Sequence, residues 1–337
     1  MDGVNAYLSL GKHAATEVKF KIVFNFTIEE SLDLIQKRIS GASQDVRRIY
    51  TWTYNGQLPK KENAKIYHRP LKELGRGAFG KVFKTVDMHN GNVVAVKQLD
   101  PHPELLVSRD REINALSRFK HPYIMPLDGW YTSLRTGCTE LFMPIMQGTL
   151  DDLMLTCSSS ETGGIGNTSL LQMLSALDYL AYKGFIHRDV KPENILYQTN
   201  HLGKYDFKLA DFGISNTVAA ARTPTGTPIY TAPEIHADPK YQTPKADIWS
   251  LFITMLWVFN VGQFRSILNG RGPAVTRVQV FAMGNAITNP EVEHMRNMAI
   301  FDPKYRASAA QMLAHMASRI VAMKVVVIVS LMHLDEE

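Results

Sequence analysis

The chain carries two short stretches of polar residues whose types suit phosphoryl transfer. The first, residues 187–194, holds a carboxylate at Asp189, an ammonium at Lys191 and a carboxamide at Asn194. The second begins with the carboxylate of Asp211. A nucleotide triphosphate needs hard oxygen ligands for its magnesium ion and a positioned acceptor for the proton of the nucleophile. The two stretches supply both, so together they indicate a site of magnesium-dependent phosphoryl transfer.

The order of residues in these stretches resembles the eukaryotic protein kinase family. The shared pattern is His-Arg-Asp at 187–189, asparagine at 194 and Asp-Phe-Gly at 211–213. The resemblance implies an α+β, bilobal fold with a β-rich N-terminal lobe and a helical C-terminal lobe. It also implies that Asp189 accepts the proton of the incoming hydroxyl and that Lys191 neutralises the moving phosphoryl group. Asn194 and Asp211 are then the expected magnesium ligands.

A glycine-rich stretch at residues 75–82 is typical of a loop whose backbone closely approaches phosphates. The same spacing occurs in dinucleotide-binding proteins, where the loop opens a helix. Here β-branched and aromatic residues follow it, which predicts strands on both sides and favours the kinase interpretation. The resemblance implies ATP as the nucleotide, held by Gly75, Gly77, Ala78, Phe79, Gly80, Val82, Ala95, Lys97, Met143, Pro144, Met146 and Leu196.

The resemblance gives Lys97 two partners, the α- and β-phosphates of ATP and a glutamate on the following helix. Glu112 is the best candidate, because its apolar neighbours give that helix an inward-facing stripe. Glu104 is the alternative, although it lies beside prolines where the helix begins. We interpret His187 as a structural residue that packs beside Phe212, not as an acid-base group.

Serine and threonine are the expected acceptor residues of the substrate. Lys191 and the Gly-Thr-Pro sequence around Thr227 are similar to those of serine/threonine kinases, and Thr227 is expected to bind the substrate. We expect phosphorylation of Thr223, by an upstream kinase or by the chain itself, to switch activity. Arg188 offers a guanidinium for such a phosphate, and Thr225 is the alternative site.

The resemblance also concerns residues outside the chemistry. It implies a buried ion pair between Glu234 and Arg306. It also implies that Asp247 caps, from a helix, the catalytic loop, by which we mean residues 187–194. Phe252 stands where the family has a glycine, which predicts altered packing nearby. The Ser/Gly-rich residues 156–168 predict a flexible connection, so the next helix is expected to begin late.

Residues 1–66 differ in pattern from the remainder. Positions 17–26 alternate apolar and polar residues as in a half-buried strand, and a capping-box pattern at 27–30 then opens a helical segment. A second strand pattern at 48–54 runs into an Asn-Gly turn. This order resembles a ubiquitin-like β-grasp module. The expected domains are therefore a small α+β module at 1–66, a kinase domain at 67–318 and an apolar tail at 319–337.

Composition limits the possible partners and compartments. The net charge of +5 is spread along the chain, which predicts a solvated surface and no nucleic-acid partner. The 2 cysteines provide no disulfide framework, as expected in cytoplasm or nucleus. The N-terminus lacks a secretory signal, and the apolar run at 320–332 is short and contains Lys324, so no membrane partner is expected.

Two other functions fit parts of this sequence. The first is a pseudokinase or scaffold that binds partners through an inactive kinase fold. A scaffold has no need for the complete reactive set, which is present here as Lys97, Glu112, Asp189, Asn194 and Asp211. The second is an interaction protein in which residues 1–66 bind an unknown partner and recruit the kinase domain to it.

Overall fold

The structure is a computed structural model of the 337-residue chain. It describes residues 5–10, 18–23, 68–77, 80–88, 90–102, 106–200, 202–213, 216–217, 227–238, 242–269 and 275–319. The chain divides into two compact units, Met1–Leu58 and Pro59–Glu337. The chemistry-bearing residues all belong to the second unit.

In the first unit, the described residues form one antiparallel hairpin. Strand β1 (Asn5–Leu10) pairs with β2 (Val18–Val23), with Asn5 opposite Val23 and Leu10 opposite Val18. Strand β2 lies within the strand predicted at 17–26, so that prediction is confirmed. The helix and the last strand predicted for the module lie outside the described residues.

The second unit begins with a five-stranded antiparallel sheet and one helix. The strands are β3 (His68–Gly77), β4 (Gly80–Asp87), β5 (Val93–Leu99), β6 (Gly129–Thr132) and β7 (Thr139–Pro144), in the spatial order β3-β4-β5-β7-β6. Helix α1 (Leu106–Arg118) connects β5 to the remainder of this lobe. Strand β5 is almost wholly buried, because strands flank it on both edges. This is the β-rich N-terminal lobe that the sequence predicts.

The following lobe is mainly helical. Its helices are α2 (Leu150–Thr156), α3 (Ser159–Tyr182), α4 (Pro233–Ala237), α5 (Lys245–Val258), α6 (Phe264–Asn269), α7 (Val275–Thr288) and α8 (309–319). Short strands line the side that carries the catalytic loop: β8 (Gly148–Thr149), β9 (Phe185–Ile186), β10 (Ile195–Thr199), β11 (Tyr205–Leu209) and β12 (Asn216–Thr217). Strands β8, β10 and β11 form one sheet, and β9 pairs with β12.

Helix α5 is the centre of this lobe, since every residue from 246 to 258 is buried. Phe252, expected to disturb the packing, is fully buried among the core side chains. Among the described residues, no single helix is long and apolar enough to cross a membrane. Only the bent pair Lys245–Val258 and Val261–Leu268, with 102° between them, meets that length and composition.

The predicted flexible connection at 156–168 was wrong, because α3 begins at Ser159 and includes its glycines. The helix start is stabilised by the Ser158 N–H, which donates to the Glu161 carboxylate at 3.0 Å. Ile165 and Gly166 are buried on the inner face. A Cβ at Gly166 would lie 2.5 Å from the Phe259 ring, so this glycine permits a close approach of the chain to Phe259. Burial therefore overrides the weak helix propensity of the segment.

The glycines of α3 provide a matched pair of substitutions. We expect Gly166→Ala to lower the free energy of unfolding by about 1–3 kcal/mol, because the new methyl group displaces the Phe259 ring. Gly164→Ala should raise it by about 1 kcal/mol, since nothing lies within 4 Å of the added Cβ and alanine is the better helix former. Denaturant unfolding of both variants measures these changes. Equal effects of the two substitutions would contradict the close packing at Gly166.

Candidate active site

Lys97 is the centre of a buried charge cluster between the sheet and the loop after β11. Its Nζ lies 2.7 and 2.9 Å from the two carboxylate oxygens of Glu112 on α1. The same nitrogen lies 3.0 Å from Oδ1 of Asp211. Burial by itself lowers the pKa of Lys97, but the two carboxylates outweigh it and hold the pKa above its ordinary value. One ammonium group thus joins β5, α1 and the loop that begins at Asp211.

Asp211 is held as a carboxylate at the start of that loop. Burial opposes its ionisation, yet the charge and hydrogen bond of Lys97 hold its pKa below the ordinary value. Its side chain keeps 32% of its surface exposed, so a further cation has access to it. Its φ of 62° lies in the left-handed region, where a non-glycine residue is strained.

Three sequence-predicted residues meet around the carboxylate of Asp189. Its Oδ1 accepts hydrogen bonds from the backbone N–H of Thr227 at 3.0 Å and from the Thr227 hydroxyl at 2.9 Å. Its Oδ2 lies 2.8 Å from Nζ of Lys191 and 2.8 Å from Nδ2 of Asn194. Lys191 Nζ also donates to the Thr227 hydroxyl at 2.7 Å, which closes a ring of three side chains. The ring positions the Asp189 carboxylate from both sides.

Asn194 and Asp211 offer oxygen donors of the kind that magnesium prefers. The Asn194 amide nitrogen donates to the backbone oxygen and Oδ2 of Asp189, both at 2.8 Å, so the amide oxygen faces away from these bonds. The backbone carbonyl of Asn194 accepts the N–H of Ala210 at 2.9 Å, which places Asn194 next to the residue before Asp211. A carboxylate and an amide oxygen on neighbouring strand ends fit a magnesium ion.

The glycine-rich stretch forms a tight β-hairpin between β3 and β4 of the N-terminal lobe. Gly75 and Gly77 lie in β3 and Gly80 opens β4, with Gly77 opposite Gly80. Gly80 has a φ of +148°, and a Cβ there would lie 1.9 Å from the carbonyl oxygen of Gln98, so only glycine fits this position. Ala78 and Phe79, predicted at the tip, lie outside the described residues.

The other predicted nucleotide contacts lie on the sheet and just beyond it. Val82 is opposite Lys97 and Met143 is opposite Ala95, and cross-strand partners point to the same face. These side chains therefore share the face that carries the Lys97 ammonium group. Of the remaining predicted contacts, Pro144 ends β7, Met146 follows two residues later, and Leu196 lies on β10.

The predicted structural links outside the chemistry are confirmed. The buried carboxylate of Asp247 accepts the backbone N–H groups of His187 at 2.7 Å and Arg188 at 2.8 Å. The His187 ring packs edge-on against Phe212 with 4.7 Å between ring centroids. The guanidinium of Arg306 is fully buried. Its Nη1 donates to Oε1 of Glu234 at 2.7 Å, and its Nη2 donates to Oε2 at 2.8 Å.

Arg188, predicted to sense a phosphate, is a buried residue of the catalytic loop. Burial lowers the pKa of its guanidinium, and the positive charge of Arg111 lowers it further. Two guanidinium groups from α1 and the catalytic loop thus lie within electrostatic reach of each other. Thr223 and Thr225, the predicted phosphorylation sites, lie outside the described residues.

Sequence reasoning missed one polar residue beside this site. Ser250 lies one turn after Asp247 on α5, and its hydroxyl donates to the backbone carbonyl of Tyr230 at 2.8 Å. A signal was present, because Ser250 is a polar residue three positions after Asp247 within a mostly apolar helix. That spacing puts both side chains on one face of the helix.

A two-lobed fold with a glycine hairpin, a Lys-Glu pair and this catalytic loop defines the kinase class. The sequence model of the family described as "Protein kinase domain" matches residues 68–317 of this chain. The chain therefore belongs to the protein kinase family.

Similar proteins are named as protein kinases, and two of the three described here as serine/threonine kinases. The chain is 29% identical over 277 residues to "Serine/threonine-protein kinase chk-2" of Caenorhabditis elegans, covering 75% of this chain and 57% of that protein. It is 32% identical over 192 residues to "Serine/threonine-protein kinase pakE" of Dictyostelium discoideum, covering 55% and 20%. "Sucrose non-fermenting protein kinase 1" of Fusarium virguliforme is 34% identical over 221 residues, covering 61% and 30%. The chain thus spans less than two thirds of the length of each of these relatives.

Removal of the Lys97 charge should destabilise the fold in a pH-dependent way. In Lys97→Met the buried carboxylate of Glu112 loses its partner, and such losses cost about 3–5 kcal/mol. Burial already raises the pKa of Glu112, and without Lys97 it rises further above the unfolded-state value. The folded variant then binds more protons than the unfolded chain, so its stability falls as the pH rises.

We therefore expect the loss of stability in Lys97→Met to be larger near pH 8 than near pH 5, because a raised pKa of Glu112 favours its uncharged form at the lower pH. Thermal unfolding at both pH values, relative to the unmodified chain, measures it. In the control Lys97→Met/Glu112→Gln the pH dependence should shrink. A loss that is equal at both pH values would contradict the ionised pair.

Proposed function

We propose that this chain is a serine/threonine protein kinase that transfers the γ-phosphoryl group of ATP to protein hydroxyl groups. The observation that carries the proposal is the closed ring of Asp189, Lys191 and Thr227, with 2.7 to 2.9 Å between their polar atoms. This ring presents a carboxylate and an ammonium group at one point, as acceptance of a proton and stabilisation of a phosphoryl group require.

Each residue of the ring has a proposed part in the reaction. Asp189 orients the substrate hydroxyl and accepts its proton, while Thr227 and Asn194 fix both carboxylate oxygens in place. Lys191 supplies a positive charge beside that carboxylate. Because phosphoryl transfer depends mainly on positioning and charge stabilisation, this rigid set suits the reaction without a strongly shifted acid or base.

Serine and threonine are the proposed acceptors, and the contact between Lys191 and Thr227 supports them. Thr227 donates its N–H and its hydroxyl to Asp189, and its hydroxyl oxygen accepts a hydrogen bond from the Lys191 ammonium group. The segment that follows the catalytic loop is therefore anchored to the reactive carboxylate itself. This proposal agrees with the names of two of the similar proteins, which are called serine/threonine-protein kinases.

For ATP and magnesium we propose the residues predicted from the sequence. Lys97, held by Glu112 at 2.7 Å, is the proposed partner of the α- and β-phosphates. Asn194 and Asp211 are the proposed magnesium ligands, and a bound magnesium ion would neutralise negative charge on the phosphates. The glycine hairpin and the sheet face around Ala95 are proposed to cover the nucleotide.

We propose phosphorylation of Thr223 as the switch of activity, by an upstream kinase or by the chain itself. The support is electrostatic, because Arg188 lies directly before Asp189 and its positive charge and that of Arg111 lie within electrostatic reach of each other. A phosphate that binds a guanidinium in two places would order the catalytic loop from its start.

For the remainder of the chain we propose the domains stated above: a module at 1–66, a kinase domain at 67–318 and a tail at 319–337. The module is proposed to be ubiquitin-like, a fold that would contain an antiparallel pair such as β1 and β2, and to bind a protein partner. We also propose that the chain acts on protein substrates in the cytoplasm or nucleus and that it binds neither nucleic acid nor a membrane.

The direct test measures transfer of the γ-phosphoryl group from ATP to a serine/threonine peptide array. We expect incorporation by the unmodified chain with magnesium, and a loss of at least about 100-fold in Asp189→Asn, because the proton acceptor is removed. Asp206→Asn, an aspartate on β11 outside the ring, is the matched control and should remain active.

If the unmodified chain and Asp189→Asn transferred equal amounts of phosphate to the peptides, after treatment that phosphorylates Thr223, the result would contradict the enzyme proposal. A chain that still bound ATP in that experiment would be a pseudokinase or scaffold. Binding of ATP is measured separately by displacement of a fluorescent nucleotide.

The proposed switch has its own test. Thr223→Ala should keep only a minor part of the activity of fully phosphorylated enzyme, about tenfold less, because Arg188 then lacks its phosphate. Thr225→Ala is the matched control, with phosphorylation of each site followed by mass spectrometry. Full activity of Thr223→Ala would move the switch to Thr225 or exclude it.

A further inference from the structure

Ser250 makes one hydrogen bond that leaves its own helix. Its hydroxyl lies 2.8 Å from the backbone carbonyl oxygen of Tyr230 and 3.2 Å from that of Ala246. The second bond is the local back-bond that helical serines commonly form. The first is shorter and joins α5 to the segment that follows Thr227. Ser250 is buried, so neither bond competes with bulk water.

The bonded carbonyl belongs to a short turn that leads directly to Asp189. The Tyr230 N–H donates to the Thr227 carbonyl at 2.9 Å, and the Thr231 hydroxyl donates to the same carbonyl at 3.1 Å. Thr227 in turn donates its N–H and hydroxyl to Oδ1 of Asp189. Ser250 is therefore connected to the reactive carboxylate through Tyr230 and Thr227.

We propose that Ser250 is a positioning residue that places Thr227 against Asp189, and this rests on the proposed kinase activity. Asp247 holds the catalytic loop through His187 and Arg188, and one turn later Ser250 holds the segment from 227 to 231. Two adjacent turns of one buried helix thus fix the distance between the loop that carries Asp189 and the segment that carries Thr227. Without the Ser250 hydroxyl, that segment loses its bond to α5.

The space around Ser250 permits an isosteric test. A small cavity, with room for about one water-sized group, is lined by Ser250, Asp247, Ala246 and Thr231 among others, all of them buried. The extra methyl group of Ser250→Thr or Ser250→Val can use this space. Threonine keeps the hydroxyl donor and valine of the same shape lacks it, so the pair isolates the hydrogen bond from the packing.

Kinetics with a peptide substrate tests the role. We expect Ser250→Val to reduce kcat/KM for the peptide about tenfold, with an unchanged affinity for a nucleotide analogue. Ser250→Thr should stay within about threefold of the unmodified chain. Ser169→Val is the matched control, because Ser169 is also buried in a helix but its hydroxyl donates only to Gly166 of the same helix. It should leave the peptide kinetics unchanged after correction for any loss of folded protein.

A double-mutant cycle tests the route through Thr227. If Ser250 acts through Thr227, Ser250→Val has little further effect on kcat/KM in a Thr227→Ala background. Additive effects of the two substitutions, or equal effects of Ser250→Val and Ser250→Thr, would overturn the proposal.

A second readout does not depend on activity. Amide hydrogen exchange at Tyr230 and Thr231 should be at least about tenfold faster in Ser250→Val than in Ser250→Thr or Ser169→Val, because the turn loses its bond to α5. Unchanged exchange would also overturn the proposal. An inactive unmodified chain with the expected exchange difference would contradict the proposed kinase function and leave the positioning role of Ser250 intact.

Discussion

The active site depends on the buried carboxylate of Asp247, which accepts two consecutive backbone N–H groups at 2.7 and 2.8 Å. One of these belongs to Arg188, whose φ of 75° is strained by roughly 1–3 kcal/mol. The strained conformation persists because the helix that supplies Asp247 is buried along its length. The position of Asp189, the next residue, therefore follows from the packing of an apolar helix.

Lys97 holds together the second group of elements in the site, namely β5, α1 and the loop that begins at Asp211. A buried ammonium group is costly unless it is paired, and here it is bonded to Glu112 and Asp211 together. Lys97 and its two partners belong to a strand, a helix and a loop, so the cluster joins three different elements. Displacement of any one of these elements would break at least one ion pair of the cluster, so the geometry of the cluster reports the arrangement of all three.

Sequence reasoning located these groups because their order along the chain is specific. Strand β5 and the ion pair between Glu234 and Arg306 were predicted in the same way. It did not predict that α3 runs through its glycines, because the packing of Gly166 on Phe259 is a contact between distant segments. The bond from Lys97 to Asp211 and that from Ser250 to Tyr230 were missed for the same reason. Spacing indicates which residues share an element, whereas these bonds depend on how elements meet.

Helix α5 shows why some of its positions are more tolerant than others. A buried polar side chain must form hydrogen bonds, and Asp247, Ser250 and Thr254 form them at intervals of three and four residues, on one face. Phe252 lies on the opposite face, where the requirement is only apolar volume. Phe252, which stands where the resemblance predicts a glycine, thus lies away from the side chains that hold the catalytic loop, whereas the polar face is constrained by every segment that it holds.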